Sequence, residues 1–357
     1  MVLRTRPGSG GEWCRWWHLE CSIMRREFSM RNKILAASIA ALVAPAAFGG
    51  TITTATDINM SGGMTAGYFY STNTGSSNED EYQVSDFIVE LSADAANGVG
   101  FVGAFGTMAA ITVLDGGVGN SPYANDFQYG WLTVAPAEGV TIEAGKLATN
   151  VGYEVAPSYG NPHATIAALW GGQPVYYPGV RLNYEASGMG FYVEANNDTL
   201  GTADTAWAAG VTGEAAMLDY SLSFYSYNGY KQLVDVIVST EVAGMPVAAN
   251  FDYHKLENAP TAGADDTAYG VALYVTPTIS GIEVPVRVEF LNDGTSGVYG
   301  VDSATTFTIT PTYRYTENSF VRAELSYVSS DNAIFKDENG VAEDTKTSFA
   351  VQAGFTF

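Results

Sequence analysis

From Ile58 to the end of the chain, apolar and polar residues alternate with period two in segments of about eight to twelve residues, each followed by a connection. No stretch carries a convincing 3.6 period. Sixteen such segments can be drawn. The first runs from Ile58 to Tyr70, with Met60, Met64, Ala66 and Tyr68 on one face; the second sets Phe87, Val89 and Leu91 against Asp86 and Glu90; the fourth places Phe127, Tyr129 and Trp131 on one side. The fourteenth carries Phe307, Ile309, Tyr313 and Tyr315, and the last carries Phe349, Val351, Ala353, Phe355 and Phe357. A strand of this pattern has one apolar face and one polar face.

The connections sort by parity. After even-numbered segments they are short: Asn97-Gly98, Pro136 to Gly139, Ser187 to Gly190, Gly213 to Met217, Ala243 to Pro246, Thr278 to Gly281 and Thr316 to Ser319. After odd-numbered segments they are mostly long and acidic, as in Ser71 to Tyr82, Gly116 to Asn125 and Ser329 to Asp344; the turn from Asn228 to Lys231 is an exception. A β-sandwich has no reason to sort its loops this way. A closed antiparallel transmembrane β-barrel does, with short turns at one rim and long loops at the other. Both chain ends then share a rim, which requires an even strand count: sixteen, or fourteen or eighteen if a segment has been split or merged. The closing strand, Thr347 to Phe357, should pair with Phe320 to Val328 on one side and Ile58 to Tyr70 on the other.

Composition supports the barrel. The chain is 15% charged and 13% aromatic, with a mean hydropathy of +0.03, which argues against both disorder and a helical membrane protein. Residues 30–49 read as a secretory signal, with Arg31 and Lys33 ahead of an apolar run and Ala47-Phe48-Gly49 as a cleavage site. Residues 1–29 read as an upstream extension from a misassigned start, and residues 50–357 as one barrel domain. Both cysteines, Cys14 and Cys21, precede the barrel, so it has no disulfide framework. Removing residues 1–49 leaves nine basic against thirty-five acidic residues, a balance of -26 that argues against nucleic acid and for attraction of cations.

With the apolar face in lipid, the opposite parity faces a lumen. Arg181, Arg287, Arg314 and Arg322 fall there, as do Asp86, Glu90, Glu143, Glu185, Glu194, Asp219, Asp235, Asp252, Glu289 and Glu324. Arg287, Arg314 and Arg322 sit on three consecutive strands near the short turns. They either form a basic patch opposite an acidic wall or pair with Glu289 and Glu324 to satisfy buried charge. The longest connection, Leu147 to Gly179, holds Tyr153, Glu154, Tyr159, His163, Trp170, Tyr176 and Tyr177. It is too aromatic for disorder and is expected to fold inward and narrow the pore; a lid on the outer rim is the alternative.

The run Gly145-Lys146-Leu147-Ala148-Thr149-Asn150-Val151-Gly152-Tyr153-Glu154, with Asn161-Pro162 and Pro178-Gly179-Val180-Arg181, resembles the central motif of the OmpL-like β-barrel porin family of bacterial outer membranes; Asn150 stands where that motif has proline. The resemblance implies a passive diffusion channel for small hydrophilic solutes, needing no cofactor and surrounded by outer-membrane lipid and lipopolysaccharide. Phe355 and Phe357 resemble the terminal signature read by the barrel assembly machinery. Analogy with general porins implies a homotrimer. A structural or adhesive barrel with a plugged lumen is the competing reading. Catalysis is disfavoured, because His254 shares the inward parity of Asp252 and His163 lies in the long connection, so no serine–histidine pair forms on the outer wall. The acidic runs at Glu79 to Glu81, Asp265-Asp266 and Asp337-Glu338 are expected to be solvated loop charge rather than calcium ligands.

Overall fold

The computed structural model describes residues 51–52, 57–95, 98–118, 126–197 and 205–357. The leader at 30–49, the extension before it, both cysteines, Asn97 and residues 119–125 of the second long connection lie outside the described residues.

Sixteen antiparallel strands close into a barrel. They are β1 (Ile58–Ser71), β2 (Asp80–Ala93), β3 (Val99–Met108), β4 (Asp126–Ala137), β5 (Val140–Ala148), β6 (Tyr176–Ala186), β7 (Met189–Asn197) and β8 (Thr205–Ala215). There follow β9 (Leu218–Tyr227), β10 (Lys231–Val242), β11 (Met245–Leu256), β12 (Thr267–Val275), β13 (Val286–Asn292), β14 (Ser303–Ile309 and Thr312–Thr316), β15 (Ser319–Ser330) and β16 (Thr345–Thr356). Each strand pairs with its sequence neighbours. β16 closes the ring between β15, where Phe349 faces Leu325, and β1, where Phe349 faces Tyr70. The final residue joins the ladder: Phe357 and Gly62 exchange both backbone hydrogen bonds at 3.0 Å. These are the two neighbours expected from the sequence.

The outward parity is apolar and exposed all round, including Leu132, Val193, Leu222, Leu273, Phe290, Leu325 and Phe355. Closure satisfies every strand's backbone groups laterally, the condition for placing such a wall in hydrocarbon. Trp207, Tyr253, Tyr269 and Tyr327 mark an aromatic belt toward the long-loop rim, and Tyr184, Phe191, Tyr313 and Tyr315 mark one toward the short-turn rim. Three short turns carry positive φ at both central residues, Ser187-Gly188, Ala243-Gly244 and Ser280-Gly281, the mirror-image type whose twist suits two-residue hairpins.

The register shifts at four places among the described strands, twice at short-turn ends (Val134 to Ala137 and Arg314 to Thr316) and twice within the wall, where the shift re-aims side chains. Between β1 and β2, Thr65 faces Asp86 while Ala66 faces Val84, so Ser85 is an extra residue. Between β3 and β4, Ala104 faces Tyr129 while Phe105 faces Phe127, so Gln128 is extra. A bulge reverses the parity beyond it. Phe127, Tyr129 and Trp131 therefore do not share a face: Phe127, Leu132 and Val134 point to lipid, whereas Tyr129 and Trp131 turn inward on the side of Thr133. β2 also begins at Asp80, shortening the connection expected to reach Tyr82. The segment read as one strand through Phe307 and Tyr315 is broken at Pro311, which has no N–H for the ladder.

The β2–β3 contact leaves no room for a side chain at Gly106. Its φ is 140°, and an added Cβ would stand 1.8 Å from the Phe87 carbonyl oxygen. Gly106→Ala is expected to cost at least about 1–3 kcal/mol in backbone strain, before the clash is counted. The check is the urea midpoint of the heat-modifiable folded band on a gel; an unchanged midpoint would contradict this packing.

Candidate functional site

The segment between β5 and β6 contains two short 3-10 turns, Ser158–Gly160 and Ala168–Gly172. Such turns leave backbone N–H and C=O groups without local partners. Buried side chains from the inward parity of the strands supply them. Asp86 on β2 accepts from the Ser158 N–H at 3.0 Å, from the Ser158 hydroxyl, and from Thr65 on β1 at 2.6 Å. Arg322 on β15 donates to the carbonyls of Asn161 at 2.9 Å and Ser158 at 3.0 Å, and to Gln352 on β16 at 2.8 Å. Glu324 accepts from the N–H groups of Ala164 at 2.6 Å and Thr165 at 3.1 Å, and from the Thr310 hydroxyl at 2.9 Å. His163 shares a 2.7 Å hydrogen bond with that same hydroxyl.

Farther along, Arg287 on β13 donates to Glu154 at 2.8 Å and to the Thr165 carbonyl at 2.9 Å, and its Nε lies 3.3 Å from Glu289. Glu289 in turn accepts from the Leu169 N–H at 3.0 Å and from Thr306 at 2.6 Å. Glu154 accepts the Ala167 N–H. Burial pushes the Glu154 carboxyl above the usual carboxylate range, with the Arg287 guanidinium pulling the other way. Gln173 donates to Asp252 at 2.9 Å and to Asn250 at 3.2 Å, while Lys231 on β10 donates to the Gly172 carbonyl at 2.9 Å. Asp235 sits directly opposite Asp252, and Asn250 donates to it. The Tyr153 ring packs against Tyr274, with centroids 4.5 Å apart and planes tilted by 42°.

The inward arginines therefore do not form one basic patch. Arg287 and Arg322 are enclosed, and Arg322 is held by Gln352 and main-chain carbonyls rather than by Glu324, whose oxygens are taken by backbone N–H groups. Arg314 is half exposed at the short-turn rim, paired with Glu283 at 3.1 Å. Glu185 is exposed and Asp219 partly exposed at that same rim. These three have inward parity but lie at the short-turn ends of their strands, where water reaches them, so they are not gathered with the rest. Arg181 makes a separate cluster with Glu194 at 2.7 Å, Glu143 at 3.3 Å and the Ala148 carbonyl at 2.6 Å.

Exposure inside the barrel is uneven. Between the rims, every inward side chain from β10 to β15 is buried, whereas on β2 to β5 Glu90, Met108, Gln128, Tyr129, Trp131 and Thr141 stay partly exposed. Tyr159 and Trp170 of the connecting segment are also partly exposed. Gln352, Asn250 and Lys231 were legible only as polar residues at inward parity, and Tyr129 and Trp131 were hidden by the bulge.

His254 is fully buried, edge-on to Tyr299 at 5.3 Å and 3.9 Å from Asp252, and among the described residues neither ring nitrogen has a hydrogen-bond partner. In the loops, Asp265 accepts the Thr295 N–H at 3.1 Å and Asp337 accepts from Val341 at 2.7 Å and Asn339 at 2.9 Å, which holds both carboxyls below their ordinary range. Asp266 pairs with Lys255. Among the described residues, no group of three or more His, Cys, Asp or Glu is arranged to hold a metal.

A family model described as "Putative beta-barrel porin-2, OmpL-like" matches residues 57–357. Several solved structures share the fold. In-vitro folded OmpT, an outer membrane protein of Vibrio cholerae, is 10% identical, with 86% of this chain and 99% of that chain covered and a TM-score of 0.59. OmpF of Salmonella typhi, solved with daunomycin, is 13% identical over 86% of this chain and 100% of its own, with a TM-score of 0.59. The outer membrane channel DcaP of Acinetobacter baumannii is 14% identical over 87% and 100%, with a TM-score of 0.57. A comparison with curated proteins yields no match.

Proposed function

The chain belongs to the OmpL-like family of β-barrel porins and is an outer-membrane barrel; from that premise we propose that it passes small hydrophilic solutes and ions by passive diffusion, with a preference for cations. The segment spanning Leu147 to Gly179 folds inward and narrows the passage. What carries this reading is that its main-chain groups bond to buried charges on β2, β13 and β15, a set of partners that a lid on the outer rim would not meet. The cation preference is supported by the acid excess and by Glu90, a partly exposed inward carboxylate on β2.

The remaining proposals follow from the same reading. Residues 30–49 direct export and are cleaved, with 1–29 absent from the mature chain. Phe355 and Phe357 address the barrel assembly machinery, lipopolysaccharide faces the outer leaflet, and the barrel acts as a homotrimer without catalytic activity. One solved relative in the fold comparison, OmpT of Vibrio cholerae, is described in a trimer form. The heavy burial from β10 to β15 favours, as a second reading, a structural barrel whose lumen is closed.

Planar-bilayer recording separates the two. Stable ohmic steps with a reversal potential of cation-selective sign under a KCl gradient are expected. Silence at high protein would leave the closed barrel standing, and an anion-selective potential would remove the cation preference.

A further inference from the structure

The partly exposed wall on β2 to β5 has a particular chemistry. Glu90 accepts the Tyr129 hydroxyl at 2.6 Å and a hydrogen bond from Ser61 on β1. The Tyr129 ring lies between Trp131, at 5.8 Å and 26°, and Tyr176, at 5.0 Å and 21°. On the other side, the Tyr159 ring packs over Gly63 of β1, where an added Cβ would stand 2.9 Å from it, within electrostatic reach of Glu90 and Tyr176. All four aromatic side chains and Glu90 keep partial exposure. No lysine or arginine stands at an inward position of β2 to β5; Arg181 on β6 is enclosed by Glu143 and Glu194, and Arg322, beside Ser158, is taken up by Gln352 and main-chain carbonyls.

From this arrangement we infer that the aromatic wall around Glu90 is a binding site for organic ammonium ions of the choline class. The inference rests on the channel reading and names a preferred solute for it. Aromatic faces carry negative quadrupole potential and attract cations, most of all where the cation is weakly hydrated and brings methyl groups to bury. A potassium ion would instead need several oxygen ligands, and a neutral sugar would need several donors and acceptors. The wall offers one carboxylate, with two of its roughly four lone-pair sites already used. Those two hydrogen bonds fix the carboxylate and the Tyr129 ring before any solute arrives, so little ordering is left to do on binding.

The test uses the purified protein in planar bilayers, with choline added to KCl. Choline is expected to reduce the potassium current saturably, and Glu90→Gln and Trp131→Leu are each expected to raise the half-blocking concentration roughly tenfold. Both variants should still give KCl steps and a heat-modifiable folded band; Glu90→Gln, nearly isosteric, carries the test should Trp131→Leu fail to fold. Choline current that follows aqueous mobility without saturation would overturn the site and leave the channel reading intact. Block by maltotriose but not by choline would replace it with a sugar site. If no KCl steps occur, the channel reading has failed, and equilibrium dialysis of radiolabelled choline against the folded barrel decides: uptake lost in Glu90→Gln supports the site, and no uptake ends it.

Discussion

Replacing Arg287 with methionine is expected to destabilise the folded barrel by about 3–5 kcal/mol, the usual cost of removing one partner from a buried ion pair. Arg287 is fully buried, and so are the two carboxylates it serves, Glu154 on the β5–β6 segment and Glu289 on its own strand. Its loss leaves two negative charges without a counter-ion and the Thr165 carbonyl without its 2.9 Å donor. Adding Glu154→Gln to the Arg287→Met protein removes one of those charges and should recover part of the loss, a coupling that a merely volumetric role for the arginine would not produce. Urea unfolding followed by tryptophan fluorescence reads both proteins. A loss below about 1 kcal/mol for the single variant would mean that water already reaches the pair.

Replacing residues 153–172 by a short glycine–serine linker is expected to raise single-channel conductance several-fold and to weaken the preference for cations. The segment occupies the hydrogen-bonding capacity of Asp86, Glu289, Glu324, Arg287 and Arg322. Without it these groups return to water, so the strand ladder survives while the passage widens. Three carboxylates and two guanidiniums would then face the solution together, so the freed charge largely cancels, and the preference for cations weakens because a wider passage leaves ions farther from the charged wall and better screened from it. Conductance equal to that of the intact protein would mean that the segment does not limit the passage.

Strand type was legible because it is a local property. A side chain one residue on points to the opposite face, so lipid outside and polar groups inside write themselves into the chain as period two. The pairing of β16 with β1 and β15 followed from the same logic, since a wall in hydrocarbon tolerates no unpaired edge. The bulges at Ser85 and Gln128 were not legible. One extra residue leaves the composition of a strand unchanged and shows only against its partner's register, as where Ala104 meets Tyr129 and Phe105 meets Phe127. That single residue moved Tyr129 and Trp131 from lipid to lumen.

The β5–β6 segment divides the same way. Its length and aromatic content marked it out from the sequence. Its partners did not, because Arg322 reaches Ser158 and Asn161 across more than 160 residues, and Glu324 holds Thr165 across 159. By itself the sequence determined a closed antiparallel barrel, its lipid parity away from the bulges, its rims and the strand that seals it, since each depends on neighbours along the chain or on the requirement to leave no edge. Only the tertiary structure decided which buried charges face water, which face the segment's backbone, and where the partly exposed wall lies. Those outcomes depend on the register around a closed ring, and a one-residue offset between two strands turns the wall's side chains from one face to the other.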